Sequence, residues 1–177
     1  LTIIIPLQFA VLVGVGMSTV LFVIRQSNDL SVRRMLIEGE DVRETEPPAV
    51  VPSDDVVVLQ PYGSLFFASA AVFEAQLPEV TDDSQRSVVI VRLRGRKDLG
   101  STLTETLARY AEALADVGSR LVLVTDDRRV LDQLDATGVS SIVGDGGIYR
   151  SDEWLGRTVR RAHADARAWV AAQEGPS

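Results

Sequence analysis

The chain has 177 residues, a net charge of −7 and no cysteine. Nucleic-acid binding is not expected, because phosphate recognition needs clustered Lys and Arg on a basic surface. Without cysteine there are no disulfides, thiol catalysis or zinc–thiolate sites, and the single histidine, His163, is too little for a catalytic triad or a multi-histidine metal site. We therefore expect no metal, no cofactor and no enzymatic activity.

The N-terminal segment is apolar, and residues 1–24 contain no charged side chain. As a helix, the run over residues 3–24 would be about 33 Å long, close to the ~30 Å hydrocarbon core of a bilayer. We predict a transmembrane helix at 1–24 that ends the membrane part of a longer protein; a buried hairpin in a soluble core is the alternative. Basic residues next to a span favour the cytoplasmic side for the adjoining chain, and four arginines come after this span: Arg25, Arg33, Arg34 and Arg43.

Residues 25–52 are predicted to be a cytoplasmic linker. The later part of this segment is acidic and contains Pro47, Pro48 and Pro52, which is typical of a solvated and locally stiffened connector. A globular domain is predicted for residues 53–177.

Hydrophobic patterning predicts alternating strands and helices in this domain. The predicted strands are 56–60, 64–68, 87–93, 120–124 and 140–143, and the first two form a hairpin across a Pro-Tyr-Gly turn. The predicted helices are 69–77, 101–117, one capped by Asp126 or Asp127 that ends before Gly138, and 152–172. The order β-β-α-β-α-β-α-β-α predicts an α/β fold with a mixed, largely parallel sheet.

The sequence of these elements resembles the STAS domain, and three stretches sharpen the likeness to SulP-family anion permeases. "VVVLQPYGSLFFASAAVFEAQLP" is similar to the opening hairpin and first helix of their STAS domains, where a G-x-L-F-F-A-x-A pattern leads into the helix. "VVIVRLRGRKDLGSTLTETLARYAEAL" resembles the next strand, loop and helix. "LQFAVLVGVGMSTVLFVIRQS" resembles the last membrane helix before the domain.

The resemblance implies the C-terminal end of a transporter for an inorganic anion such as sulfate or bicarbonate. It implies a multi-pass protein of the cell membrane whose STAS domain is cytoplasmic and acts in assembly and regulation. The implied partners are the membrane domain of the same transporter, the lipid bilayer and a second copy in a homodimer.

A candidate regulatory or anion-contact site lies before the helix at 101–117, at Asp98, Gly100, Ser101 and Thr102. Helix N-termini favour anions and phosphorylated hydroxyls. Anti-anti-sigma relatives carry a phosphorylated Asp-Ser-Ser/Thr-Gly loop there, whereas this chain reads Lys-Asp-Leu-Gly-Ser-Thr over residues 97–102. Helix capping by Ser101 or Thr102, with Glu105 completing a capping box, is the simpler interpretation. A membrane-tethered phosphoswitch that uses either hydroxyl is the alternative function.

The remaining motifs favour structural roles. The basic loop, "RLRGRK" at 92–97, is interpreted as solvated, with an anionic lipid headgroup or acidic partner as the alternative. "GDGG" at 144–147 lacks the lysine and spacing of a P-loop and is predicted to be a turn. His163 is predicted to lie at the surface, and Trp154 and Trp169 to close the core or a partner contact.

Overall fold

Six strands form one sheet in the computed structural model, which describes residues 7–28, 30–38, 41–63, 70–150 and 157–173. The strands are β1 (Ser31–Glu38), β2 (Asp41–Thr45), β3 (Val56–Tyr62), β4 (Val88–Arg92), β5 (Arg120–Thr125) and β6 (Ile148–Arg150). The helices are α1 (Leu7–Asn28), α2 (Ala70–Glu74), α3 (Gly100–Asp116), α4 (Arg128–Ala136), α5 (Val139–Val143) and α6 (Arg157–Gln173).

The sheet has the strand order β2-β1-β3-β4-β5-β6 and is mixed, as predicted. Strands β3 to β6 are parallel, while β1 runs antiparallel to both β2 and β3. We call the side where the parallel strands end the carboxyl edge and the opposite side the amino edge. Because Ser31 pairs with Tyr62, β1 begins at the carboxyl edge.

The core occupies both faces of the central strands. Every residue of β4 is buried, which fits a strand covered on both sides. On one face, alternate side chains pack with α2, α3 and α4, and Phe73, Leu107 and Leu134 are fully enclosed there. On the other face, Val58, Ile90 and Val122 pack with α6. The apolar stripes of α3 and α6 therefore match the predicted amphipathic faces.

The predicted linker at 25–52 is wrong over 31–38 and 41–45, because these residues form β1 and β2. Both strands lie at the end of the sheet, where much of their surface stays in contact with water, so their composition resembles that of a connector. Leu30 and Val32 are nevertheless buried in the core. The sheet therefore begins well before residue 53.

The predicted strand at 140–143 is also wrong. These residues lie in the short helix α5, and the last strand is β6. A four-residue segment with two apolar side chains is too short for its periodicity to distinguish a helix from a strand. The "GDGG" segment forms the predicted turn before β6, closed by a hydrogen bond from the Gly147 amide to the Gly144 carbonyl at 3.0 Å.

Other predicted elements are confirmed with shifted ends, but the predicted Pro-Tyr-Gly turn is wrong, because Pro61 and Tyr62 lie in β3 and pair with Val32 and Ser31 of β1. Asp127 caps α4, since its Oδ1 accepts from the Arg129 amide at 2.7 Å. The predicted strand at 64–68, Ser69 and residues 152–156, including Trp154, lie outside the described residues. His163 is half-buried on α6 rather than at the surface, and burial lowers its pKa.

The predicted N-terminal helix is present as α1, and its apolar side chains are exposed. Phe9, Leu12 and Phe22 have 59%, 68% and 66% of their surface exposed. Within the described residues, no helix combines the length and the apolar character that crossing a bilayer requires. Large apolar side chains exposed over residues 9–22 of α1 indicate a partner other than water.

A network of buried serines closes the amino edge. The Ser119 hydroxyl accepts from the Ser87 amide at 2.8 Å and donates to the Ser84 carbonyl at 2.6 Å, while the Ser84 hydroxyl donates to the Val51 carbonyl at 2.8 Å. These hydroxyls satisfy backbone groups of the segments that lead into β3 and β4.

A fragment that starts at the predicted boundary should be unstable. Compared with residues 30–177, residues 53–177 lack β1, β2 and the buried side chains of Leu30, Val32 and Val51. Losing them should lower the free energy of unfolding by about 4 kcal/mol or more. Urea unfolding followed by tryptophan fluorescence measures this difference, and a synthetic peptide of residues 30–52 should restore it. Equal midpoints for the two fragments would show that β1 and β2 are dispensable.

The substitution Ser119→Ala should destabilise the domain, because it leaves the Ser87 amide and the Ser84 carbonyl buried with no hydroxyl partner. The expected loss is about 1–3 kcal/mol in the free energy of unfolding. Ser141→Ala, at an exposed serine of α5, is the matched control and should change stability by less than about 0.5 kcal/mol. A loss of the same size in both variants would contradict a role for the serine network.

Candidate coupling surface at the carboxyl edge

The junction between α1 and β1 is fastened to the domain by Gln76, which lies just after α2. Its Nε2 donates to the Leu30 carbonyl at 3.0 Å, and its Oε1 accepts from the Val32 amide at 2.8 Å. Leu30 is only 4% exposed and packs in the core with Phe73 of α2. The chain that leaves α1 is therefore held at the carboxyl edge by both side-chain packing and hydrogen bonds.

The basic loop at 92–97 follows β4 at the same edge. The Arg96 amide donates to the Leu93 carbonyl at 3.3 Å, which closes a turn in which Gly95 has a φ of +71°. Such a positive φ at the third turn position favours glycine. The turn leaves Arg94 and Lys97 exposed to solvent.

Two arginines of the basic loop are buried or half-buried. Arg92 is only 9% exposed, and its Nη1 donates to the Met35 sulfur at 3.1 Å. Arg96 is half-buried and donates from Nη2 to the Pro61 carbonyl at 3.2 Å. The Nε atoms of both find no hydrogen-bond partner among the described residues. Burial lowers the pKa of both guanidinium groups, and for Arg92 the neighbouring charge of Arg94 lowers it further.

The predicted site residues lie together at the start of α3. The helix begins at Gly100, whose φ of +68° is one that glycine adopts without strain. The N-cap residue is Leu99, whose side chain cannot form a capping hydrogen bond, so the predicted capping box at Thr102 and Glu105 is wrong. Ser101 is exposed and Thr102 is half-buried. Phosphorylation of either hydroxyl stays a prediction.

Gln133 of α4 forms hydrogen bonds with the segment before α3, a contact that the sequence did not predict. Its Oε1 accepts from the Leu99 amide at 3.0 Å, and its Nε2 donates to Asp98 Oδ1 at 2.7 Å. The same Asp98 oxygen accepts from the Gly100 amide at 2.9 Å. The Gln133 hydrogen bond, followed by that of Gly100, lowers the pKa of Asp98. No sequence signal pairs a half-buried glutamine with a loop so far away in the chain.

The remaining candidate chemistry is sparse in the part of the chain that the structure describes. No three His, Asp or Glu side chains there lie close enough together to hold a metal ion. Trp169 is half-buried on α6, and its ring lies 4.4 Å from the Arg120 guanidinium carbon, which is a cation–π contact.

Comparison with known proteins identifies the domain. Residues 47–162 match the STAS domain family. Because this match covers more than half of the chain, the chain belongs to the STAS domain family. The comparison with curated proteins found no match to this chain.

The fold is similar to a solved structure titled "The overall structure of SLC26A9", with a TM-score of 0.61 and 13% sequence identity. The alignment covers 93% of this chain, so it extends beyond the family match and includes most of the segment before residue 47. This chain spans only 28% of the length of that one.

Replacing Gln133 by leucine should raise the pKa of Asp98 toward its ordinary value of 3.8, because the largest cause of the lowering is removed. In the native protein, the stability that Asp98 contributes is present above its unfolded pKa and is lost as the pH falls through its lowered folded pKa. That acid-side loss should shrink in Gln133→Leu. Carboxyl NMR titration of Asp98 measures the shift. Gln85→Leu, the same change at an exposed glutamine, should leave the Asp98 titration unchanged.

Proposed function

We propose that the chain is the C-terminal end of a SulP-type transporter for an inorganic anion of the sulfate or bicarbonate kind. In this proposal, α1 belongs to the membrane domain, and the STAS domain lies on the cytoplasmic side and acts in assembly and regulation. The domain works by binding, both to the membrane domain and to a second copy of itself, and it catalyses no reaction.

The observation that supports this proposal most strongly is the exposed apolar surface of α1 directly before the STAS domain. Large side chains such as Leu12, Val13 and Phe22 leave more than half of their surface uncovered. In a membrane domain, these groups would contact lipid or neighbouring helices instead of water. Gly14 and Gly16 meet no atom within 4 Å at their Cβ positions, which leaves room for the close approach of another helix.

The Gln76 contacts explain how such a domain could act on a transporter. Asn28, the last residue of α1, lies three residues before Ser31, so the two Cα atoms are at most about 11 Å apart. With Leu30 buried and Val32 hydrogen-bonded to Gln76, little slack remains between the helix and the sheet. A displacement of α1 therefore moves the STAS domain, and a displacement of the STAS domain moves α1.

Transport measurements on the intact polypeptide test the proposal. We expect cells that express it to take up radiolabelled sulfate or bicarbonate faster than cells without it. Gln76→Leu, which removes both junction hydrogen bonds, should lower either the surface amount or the uptake per transporter. If the junction couples the STAS domain to the membrane domain with about 1 kcal/mol of free energy, the surface amount or the uptake should fall about fivefold.

Gln85→Leu is the matched control, because Gln85 is exposed and its side chain only donates to the Asp82 carbonyl. It should leave uptake and surface amount unchanged. If neither anion is taken up, the transporter proposal fails. If uptake occurs but Gln76→Leu behaves like the control, the transporter remains and the role of the junction is wrong.

A further inference from the structure

The basic loop contains four cations that have no carboxylate partner in the described part of the chain. The ion pairs there use other arginines, namely Arg33, Arg34, Arg86, Arg109, Arg161 and Arg167. This is unexpected in a chain with 25 acidic and 18 basic residues, where carboxylates are in excess. Four clustered cations that remain unpaired in an acidic protein indicate an anionic partner supplied from outside.

Two of the cations are also poorly solvated. Arg92 and Arg96 each keep a buried Nε with no hydrogen-bond partner among the described residues, although water could have satisfied it at the surface. A buried guanidinium N–H without an acceptor is costly, and the negative charge of an anion placed over the loop would offset part of that cost. The lowered pKa values of both groups have the same cause.

The nearby acids do not neutralise the loop. Asp98 is engaged by Gln133 and the Gly100 amide, and Asp127 accepts from the Arg129 amide at the start of α4. Asp126 is close enough for its charge to act on Arg92, but it forms no ion pair with Arg92 in the described structure. The exposed cations Arg94 and Lys97 therefore face solvent beyond these acids.

The position of the loop decides which anion it meets. Arg92 ends β4 at the carboxyl edge, and β1 begins at that same edge within about 11 Å of the end of α1. If α1 lies in the bilayer, as the proposed function states, this edge is the part of the domain nearest to the membrane surface. Clustered Lys and Arg just beyond a span bind anionic headgroups of the cytoplasmic leaflet.

We propose that the basic loop at 92–97 docks on the anionic phospholipid headgroups of the leaflet that α1 enters. Arg94 and Lys97 contact the headgroup phosphates, while Arg92 and Arg96 add positive charge behind them. The inference rests on the proposed membrane position of α1 and adds a lipid partner that depends on headgroup charge.

Single-cysteine labelling of the 177-residue chain in nanodiscs tests this proposal, because the chain contains no native cysteine. A polarity-sensitive dye is attached at Ser101→Cys, four residues after the loop, or at Ala115→Cys near the other end of α3. The two positions lie about 21 Å apart along the helix. Quenching by acrylamide, which is uncharged, is compared between phosphatidylcholine discs and discs that also contain phosphatidylglycerol.

We expect the anionic lipid to lower quenching at position 101 by about twofold and to leave position 115 unchanged, with the difference removed by high salt. Arg94→Gln/Lys97→Gln should abolish the effect. Arg43→Gln/Arg161→Gln carries the same charge change on β2 and α6 and should preserve it. Equal quenching at position 101 in both lipids, or an effect that survives loss of Arg94 and Lys97, would overturn the proposal.

A third label separates this inference from the proposed function. The dye at Ser18→Cys, in the exposed part of α1, reports whether the helix lies in lipid. If position 18 is protected in both kinds of disc but position 101 shows no lipid dependence, the headgroup contact is wrong and the position of α1 stands. If position 18 is fully quenched, the membrane position of α1 fails and the headgroup proposal fails with it.

Discussion

Burial of the central strands on both faces is the constraint on which the rest of the structure depends. Strands β3, β4 and β5 consist largely of Val, Leu and Ile, and they need a helical layer on each side. The layer of α2, α3 and α4 covers one face and α6 covers the other. Because β3 also needs a neighbour on its free side, the chain before residue 53 supplies β1.

The same constraint makes the carboxyl edge the place where the elements with functional potential meet. Parallel strands end together, so the loops after them lie side by side, and the antiparallel β1 starts among them. The exit of α1 is far in the sequence from the basic loop and from the start of α3, which follows that loop directly. The exit of α1 shares their edge because β1 runs antiparallel to β3. The junction held by Gln76 and the cations of the loop therefore lie at one edge of the domain.

The elements that the sequence predicted correctly are those whose pattern of apolar residues lies within one short segment. Strands β4 and β5 were predicted because apolar residues fill them. Helices α3 and α6 were predicted because apolar residues recur at helical spacing over several turns. Strands β1 and β2 were not predicted because they are partly exposed and carry Arg and Glu, as a linker does. The start of α3 was misjudged because Gln133, a distant residue, satisfies the Leu99 amide in place of a local hydroxyl. The regulatory or anion-binding role of the four site residues stays a prediction, and the hydrogen bond from Gln133 to Asp98 could not be read from the local sequence.

The fixed junction at Leu30 has a mechanical consequence. A domain attached rigidly at one edge behaves as a lever whose arm is the length of α3, about 25 Å. With an arm of that length, a tilt of about 10° at the junction would move the amino edge by about 4 Å. The far end of the domain, with the serine network and the Arg120–Trp169 contact, would thus travel further than the helix that drives it. A regulator that binds there would act at the end of the long arm, where a small force balances a larger one at the junction.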